Sequence, residues 1–332
     1  MKKIIFVNII VILTIIIALE ILLRTFNLVT LQGADRGFFF SENNIVLNKP
    51  NSIFMVGGKK VKTDVHGFRI PLQNNQIKKN LKSTFILGDS VTFGFGVDEK
   101  DTFVGVTRDK VNSNLINSSV IGHNLKSYIY LLNKHAKSSK INFDEAIIFL
   151  CLNDIHLDQG VVSKENLKNN SNQTKESLFI NFLKNDIFMK LNLSLREKSA
   201  LFVLLKSVAT NNVKRHYEYM QWRYNDKTLL LKYSEYIKEI KNFSESENLN
   251  INFVLLPYAY QIKKNCNDQY LKPQKEIRKI FTELGLNLYD FTDNFCAKKE
   301  NKNFFIGFDP VHLSKAGHLF VSRLLIENKI IN

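Results

Sequence analysis

Three uninterrupted apolar runs limit what this chain can fold into. Residues 84–89 (TFILGD), 146–152 (AIIFLCL) and 251–256 (INFVLL) each hold consecutive apolar side chains rather than alternating ones. Runs this short, without a polar face, fit strands buried on both sides, and such strands pair in parallel beneath helices. Residues 115–122 and 287–291 supply a second and a fifth strand. Residues 101–114, 124–137, 271–284 and 314–327 carry helical patterns between and after them. The alternation predicts an α/β fold: a flavodoxin-like three-layer α/β/α sandwich with a parallel sheet.

At the carboxyl end of the first run stands Gly88-Asp89-Ser90, followed by Val91-Thr92-Phe93-Gly94-Phe95-Gly96. Open α/β sheets place their sites at that edge. In a loop before the last helix, Asp309-Pro310-Val311-His312 sets an acid and a histidine three apart, so one turn of chain can aim both at one point. A serine is a poor nucleophile until a base takes its proton, and an acid must hold that base in one tautomer. Singly, Gly-Asp-Ser is ordinary turn chemistry, and the second motif is a loop entering a helix capped by Ser314. Together, at the two ends of one alternating pattern, they mark a candidate relay.

Two further blocks lie between them. Ser118-Ser119-Val120-Ile121-Gly122 supplies a glycine after the second strand, and Asn153-Asp154 follows the third. With four blocks in this order, the chain resembles the SGNH (GDSL-type) hydrolase family over residues 81–327, apart from a long stretch between the third and fourth strands. The resemblance implies Ser90 as nucleophile, His312 as base and Asp309 as its orienter. It also implies an oxyanion hole from the Ser90 N–H, the Gly122 N–H and the Asn153 side-chain amide. Cys151 stands where the family has glycine, which bears on the backbone approach near Asn153 but leaves the donor in place. Further upstream, Asp64-Val65-His66-Gly67-Phe68-Arg69-Ile70 is similar to an N-x-x-G-F-R element of a membrane-anchored branch, with Asp64 in the asparagine position. Read by itself, that element is a short strand with a glycine turn, and no catalytic role follows from it.

The activity implied is acyl transfer from an ester through an acyl-serine. Water as acceptor makes an ester hydrolase and a sugar hydroxyl makes an O-acyltransferase; the motifs are the same for both. The expected substrates are O-acyl groups of cell-envelope polysaccharide, with a cell-surface glycan and a membrane acyl donor as candidate partners. Two alternatives stay open: a lipid esterase or lipase, and a non-catalytic scaffold subunit of an envelope-polysaccharide modification complex.

The envelope enters through residues 4–23, an apolar run of 20 residues with Asn8, Thr14 and Glu20 as its notable polar interruptions. A helix of that length rises about 30 Å, the depth of a bilayer's hydrocarbon core. Lys2 and Lys3 ahead of it favour a cytoplasmic N-terminus and an extracytoplasmic remainder. Residues 18–21 (ALEI) lack the small-residue pattern of a cleavage site, so the expectation is an uncleaved transmembrane helix. Glu20 is costly against lipid and is expected to reach the headgroups or Arg24, four residues on. The expected organisation is an anchor at 1–25, a polar, loop-rich lead segment at 26–80, and a hydrolase domain at 81–332 with a helical insertion at about 156–250. Within the lead, residues 74–82 look like a solvated linker.

In the insertion, residues 161–175 are polar, and helical patterns follow at 177–191, 194–209 and 228–246. The middle pattern has an apolar face wide enough to dock on the core or a membrane surface. The run His216-Tyr217-Glu218-Tyr219-Met220-Gln221-Trp222-Arg223-Tyr224 suits either a sugar-facing wall or packing under a lid.

Other chemistries find little support. Lys and Arg outnumber Asp and Glu by 46 to 31, a net charge of +15. The excess is lysine spread along the chain, without an arginine-rich stripe or zinc-finger signature, so no nucleic-acid partner is expected. Asp154, His156 and Asp158 alternate, but Asp154 belongs to the Asn-Asp block, and no metal is expected. Gly94-Phe95-Gly96 is too short to cradle a phosphate, and no cofactor motif is present. Cys266 and Cys296 can pair in an exported chain, whereas Cys151 reads as a small buried hydrophobe. His123 reads as a surface histidine at a helix start.

Overall fold

The computed structural model describes residues 2–26, 28–73, 81–136, 141–157, 186–298 and 303–331, with no side-chain placement for 186–189. Residues 161–175, most of the pattern at 177–191, most of the linker at 74–82, and Asp158 lie outside the described residues. Helix α1 (Lys2–Thr25) is long and apolar enough to cross a membrane. The lead segment then builds five strands: β1 (Phe39–Glu42), β2 (Ile45–Asn48), β3 (Ile53–Val56), β4 (Lys59–Thr63) and β5 (Arg69–Ile70). The first two form a separate antiparallel hairpin.

Beyond the lead come β6 (Ser83–Leu87), β7 (Asn114–Asn117), β8 (Glu145–Leu150), β9 (Asn250–Leu255) and β10 (Tyr289–Asp290). These five are parallel, in the order β7-β6-β8-β9-β10. That is the flavodoxin-like order, with its switch point between β6 and β8. Every residue of β6, β7 and β8 is buried, Asn114 and Asn117 at the ends of β7 included, as expected of strands covered on both faces.

The sheet as a whole is mixed, not parallel. Strands β5, β4 and β3 add to the β7 edge in antiparallel order, giving eight strands. The lead was expected to be polar and loop-rich, yet β4, Lys-Lys-Val-Lys-Thr, has the alternation of a half-wet strand. Val61 and Thr63 turn inward and Lys60 stays exposed.

Helices α2 (Ser90–Phe93), α3 (Phe103–Arg108) and α4 (Leu125–Ala136) follow the first strands of the parallel set. The β6–β7 and β7–β8 crossovers run in opposite directions along the sheet. Right-handed connections therefore set α3 and α4 on opposite faces, which makes three layers. The insertion supplies α5 (Asp186–Lys198), α6 (Ala200–Thr210), α7 (Asn212–Arg223) and α8 (Lys227–Ser246). Helices α9 (Ala259–Lys263), α10 (Lys272–Glu283), α11 (Thr292–Ala297) and α12 (Lys315–Glu327) complete the domain. Helix α12 pairs with α3, where His318 Nδ1 accepts from the Phe103 N–H at 3.1 Å and the Thr107 and Ser322 hydroxyls meet at 2.9 Å.

The helical pattern expected at 194–209 is two helices. Ser199 breaks it, its Oγ accepting from the Phe202 N–H at 3.1 Å to cap α6. Glu20 completes this end from α1, accepting from the Ala200 N–H at 2.8 Å, the Leu201 N–H at 2.9 Å and the Ser199 hydroxyl at 3.0 Å. It also pairs with Arg24 Nε at 2.6 Å, and Arg24 reaches the Lys198 carbonyl. A carboxylate at a helix N-terminus meets unpaired N–H groups and the positive end of the dipole. Leu23 and Val29 are buried with Ala200 and Val203 beside this contact, so the end of α1 is built into the fold. Cys266 and Cys296 form a disulfide, with Cα atoms 5.9 Å apart.

Candidate active site

The β6 strand delivers Asp89 and Ser90 at its carboxyl end, where the chain turns straight into α2. Gly88 is required there, because a Cβ on it would lie 2.0 Å from Thr92 Oγ1. Asp89 is buried, and its Oδ1 caps α2 by accepting from the Val91 N–H at 2.8 Å. That fixes Ser90 as the first residue of the helix.

His312 approaches from the loop before α12. Its Nε2 lies 3.0 Å from Ser90 Oγ and its Nδ1 lies 2.8 Å from Asp309 Oδ2. The other oxygen of Asp309 accepts from the Val311 and His312 N–H groups at 2.9 and 2.8 Å, so the acid also shapes its own turn. The sequence spacing of three reflects this turn. Phe95 from the loop after α2 packs against the His312 ring, with centroids 4.7 Å apart.

The electrostatics match these roles. Burial alone would lower the His312 pKa, but the Asp309 carboxylate, its hydrogen bond and the Asp89 charge together hold it above the ordinary histidine value. Burial pushes Asp309 upward, and the His312 charge with three hydrogen bonds outweighs that and keeps it below the usual carboxylate range. An acid that stays ionised beside a histidine able to take a proton is the arrangement that a Ser-His-Asp relay requires.

The expected oxyanion donors converge on the same edge. After β7, Ser118 N–H bonds the Ile86 carbonyl and Val120 N–H bonds the Gly88 carbonyl, and the chain then turns through Gly122, where His123 N–H bonds the Val120 carbonyl. Gly122 has a φ of 80°, and nothing lies within 4 Å of where its Cβ would stand. Among the described residues, none accepts a hydrogen bond from the Ser90 or Gly122 N–H. Asn153 comes from the 3-10 turn after β8. Its Nδ2 donates to Asp89 Oδ2 at 2.7 Å, which leaves one amide hydrogen for a ligand. Its Oδ1 accepts from the Tyr258 hydroxyl at 2.7 Å, so the amide orientation is fixed from both ends. Cys151 takes ordinary extended backbone, φ −120°, and is buried; the glycine usual in the family is not needed for this geometry.

Several residues stand apart from the sequence expectations. His123 is buried rather than on the surface, its Nε2 lying 2.6 Å from the Val46 carbonyl, and burial pulls its pKa down to about 4. Asp154 accepts from the Tyr128 hydroxyl at 2.9 Å and the Cys151 N–H at 2.7 Å, while His156 stacks on Tyr219, so the two serve separate contacts. Among the described residues, no His, Cys, Asp and Glu cluster is set to hold a metal ion. The aromatic run on α7 divides by helical period. Tyr217, Met220 and Tyr224 are buried, with the Tyr224 hydroxyl on the Leu152 carbonyl at 3.0 Å, whereas Tyr219 and Trp222 stay exposed and stacked.

Three residues not expected at the site from the sequence connect to it. Tyr258 holds Asn153, and His216 on α7 stacks against Tyr258 with ring centroids 5.7 Å apart. Arg69, buried in β5, donates to the carbonyls of Phe93 (2.5 Å), Gly94 (2.8 Å) and Val97 (2.7 Å), clamping the loop that follows Ser90. Burial lowers the Arg69 pKa to about 10, with Glu99 and Asp98 opposing the shift. The position of Tyr258 just past β9 was a usable signal; Arg69 and His216 stood in segments already singled out, but their partners are far off in sequence.

The raised His312 pKa has a kinetic consequence. The base accepts a proton only when neutral, so kcat/KM should fall on acidification with a midpoint above about 6.5, the unperturbed histidine value. Asp309→Asn removes the main upward influence, so the midpoint should move down and the plateau rate should drop on the order of 10⁴-fold. A pH–rate profile of both proteins checks this; a wild-type midpoint below the unperturbed value contradicts it.

Among solved structures, the chain is similar to an acetyl xylan esterase, at 16% identity and a TM-score of 0.43, covering 74% of this chain and 98% of that one. It is also similar to a member of the lipolytic G-D-S-L family from Veillonella parvula, at 15% and 0.39, covering 74% and 97%. A third is an acetylxylan esterase from Geobacillus stearothermophilus, at 13% and 0.39, covering 76% and 96%. No family model matches the chain, and no curated protein matches it. At such identities and TM-scores these likenesses decide nothing about this chain, and the site must be read from its own geometry.

Proposed function

We propose that the protein is a serine ester hydrolase or O-acyltransferase of the SGNH type, in a membrane-anchored branch. The observation that carries this reading is the unbroken relay from Ser90 Oγ through His312 to Asp309, at 3.0 and 2.8 Å, on the carboxyl edge of the sheet. Ser90 Oγ attacks the acyl carbonyl carbon as His312 Nε2 takes its proton, and Asp309 stabilises the imidazolium. The Ser90 and Gly122 N–H groups and the Asn153 amide receive the oxyanion. The carbonyl re-forms, the alcohol leaves with the proton from His312, and an acyl-serine remains for water or a sugar hydroxyl to take. The hydrogen-bonded Ser90, His312 and Asp309, with Asn153 held by Asp89, favour catalysis over a scaffold role.

Residues 2–25 act in this reading as a retained single-pass anchor with the catalytic domain on the extracytoplasmic side. Support comes from Glu20 and Leu23, whose contacts with α6 a cleaved leader would forfeit. The disulfide of Cys266 and Cys296 favours an oxidising compartment. The hydrolase domain at 81–332 works with the lead at 26–80, whose Arg69 steadies the nucleophile turn. The proposed substrates are O-acyl groups of cell-envelope polysaccharide, with a membrane acyl donor as partner in the transferase case. Exposed Tyr219 and Trp222, continuing the ring stack from His156 three residues past Asn153, offer flat faces for a sugar.

Ser90→Ala should abolish turnover of p-nitrophenyl acetate in a folded protein. Asn153→Ala should lower kcat by on the order of 10²–10³ with little change in KM, since the amide bonds the oxyanion more strongly than the ground-state carbonyl. Cys151→Gly should be mild by comparison. Wild-type turnover by folded Ser90→Ala sinks the assignment.

The acceptor side has its own test. Replacing Tyr219 and Trp222 by alanine should impair an acylated glycan more than the small aryl ester. Equal loss on both substrates would make the pair structural. Tyr224→Ala, which empties a buried site, should instead lower the melting temperature.

A further inference from the structure

A cavity of about 1000 Å³ lies between the end of α1 and the loop that carries Asp309. Phe26 and Leu28, the first residues beyond α1, form one wall, and Phe305 and Phe308 belong to the facing loop. Asp309 lines the cavity, while Ser90 and His312 do not, so it meets the relay only at its acid end. The two walls are packed together in the fold. A Cβ on Gly307 would lie 2.5 Å from the Leu28 carbonyl oxygen, and one on Gly96 would meet both Thr30 and Ile306 within 3 Å.

Three features of this cavity are unusual for an aqueous groove. Phe26, Leu28 and Phe308 expose 68%, 46% and 46% of their surface, a cost in water that continuity with the apolar surface of α1 would remove. Phe308 sits at a φ of 61°, in the left-handed region that a bulky residue adopts only when the surroundings impose it. Lys59, Lys263 and Lys315 also line the cavity, so an apolar interior meets positive charge. Lys59 and Lys315 are partly balanced by Asp98 and Asp101, at 3.6 and 2.6 Å.

We propose that this cavity holds a hydrocarbon chain of an anionic bilayer lipid, entering where α1 leaves the membrane, with its phosphate toward the lysines. The volume is ample for one chain, as ligand cavities run to roughly 300–1,000 Å³. A bound lipid would set the Asp309 loop at the membrane surface. The inference rests on the anchor reading but not on the ester chemistry.

The test uses the full chain in vesicles of phosphatidylethanolamine and phosphatidylglycerol, the latter carrying a diazirine near the end of one acyl chain. After irradiation, peptide mapping should place label on residues 26–30 and 305–308 as well as on α1. Leu28→Asp and Ile262→Asp, which put a charge into the apolar wall from two different elements, should each cut the cavity label by about tenfold and leave the α1 label unchanged. Should a variant misfold by circular dichroism, the mapped peptides of the unmodified protein still decide. Vesicle flotation with label confined to α1 overturns the lipid cavity alone. Failure to float overturns the anchor reading and the cavity with it.

Discussion

One buried carboxylate, Asp89, ties the site together. One of its oxygens caps the short helix that begins at Ser90, and the other holds the Asn153 amide arriving from the neighbouring strand. Ser90 and Asn153, the proposed nucleophile and oxyanion donor, are thereby tied to each other across the β6–β8 switch point. His312 and Asp309 come from the far end of the domain and need a firm partner to meet. The same Asp89 charge also contributes to the raised His312 pKa. A pre-set arrangement of this kind is what oxyanion stabilisation requires, because donors that must reorganise lose their advantage over water.

Around that core, the lead segment that follows α1 is structural rather than a passive linker. Phe38, Val56 and Val61 from the lead bury Phe93 and Phe95 from the turn after Ser90, and Arg69 takes three carbonyls of the same turn. A guanidinium is suited to this, since its fork satisfies several carbonyls at once that would otherwise be buried unpaired. From the other side, Glu20 holds α6, and α7 follows directly, carrying His216 to Tyr258 and so to Asn153. The end of α1 and the edge that carries Ser90 are therefore joined by packed elements along two routes.

What could be read in the sequence was whatever is local. The strands β6 and β8 declared themselves because burial on both faces keeps their apolar runs long, and β9 did so through its buried Phe253-Val254-Leu255 end. Asp309 and His312 were visible because the acid builds the turn that aims the histidine. The lead strands were hidden by lysines, which an edge strand can afford on its wet face, so the parallel sheet came out mixed. The break at Ser199 was missed because its cap is shared with Glu20, 179 positions away. His123 looked exposed because only the β2 carbonyl of Val46 makes its burial tolerable. Tyr224 and Trp222 read alike in sequence, and only the facing of α7 separates core from surface.

The central claim is that Ser90 is a nucleophile made reactive by His312. The most direct measurement is covalent labelling of the full-length protein with a fluorophosphonate, followed by peptide mapping and by rates for the wild type and His312→Ala. A single adduct on Ser90, formed far more slowly when His312 is replaced, is the predicted result. No adduct, an adduct elsewhere, or a rate indifferent to His312 would contradict the claim.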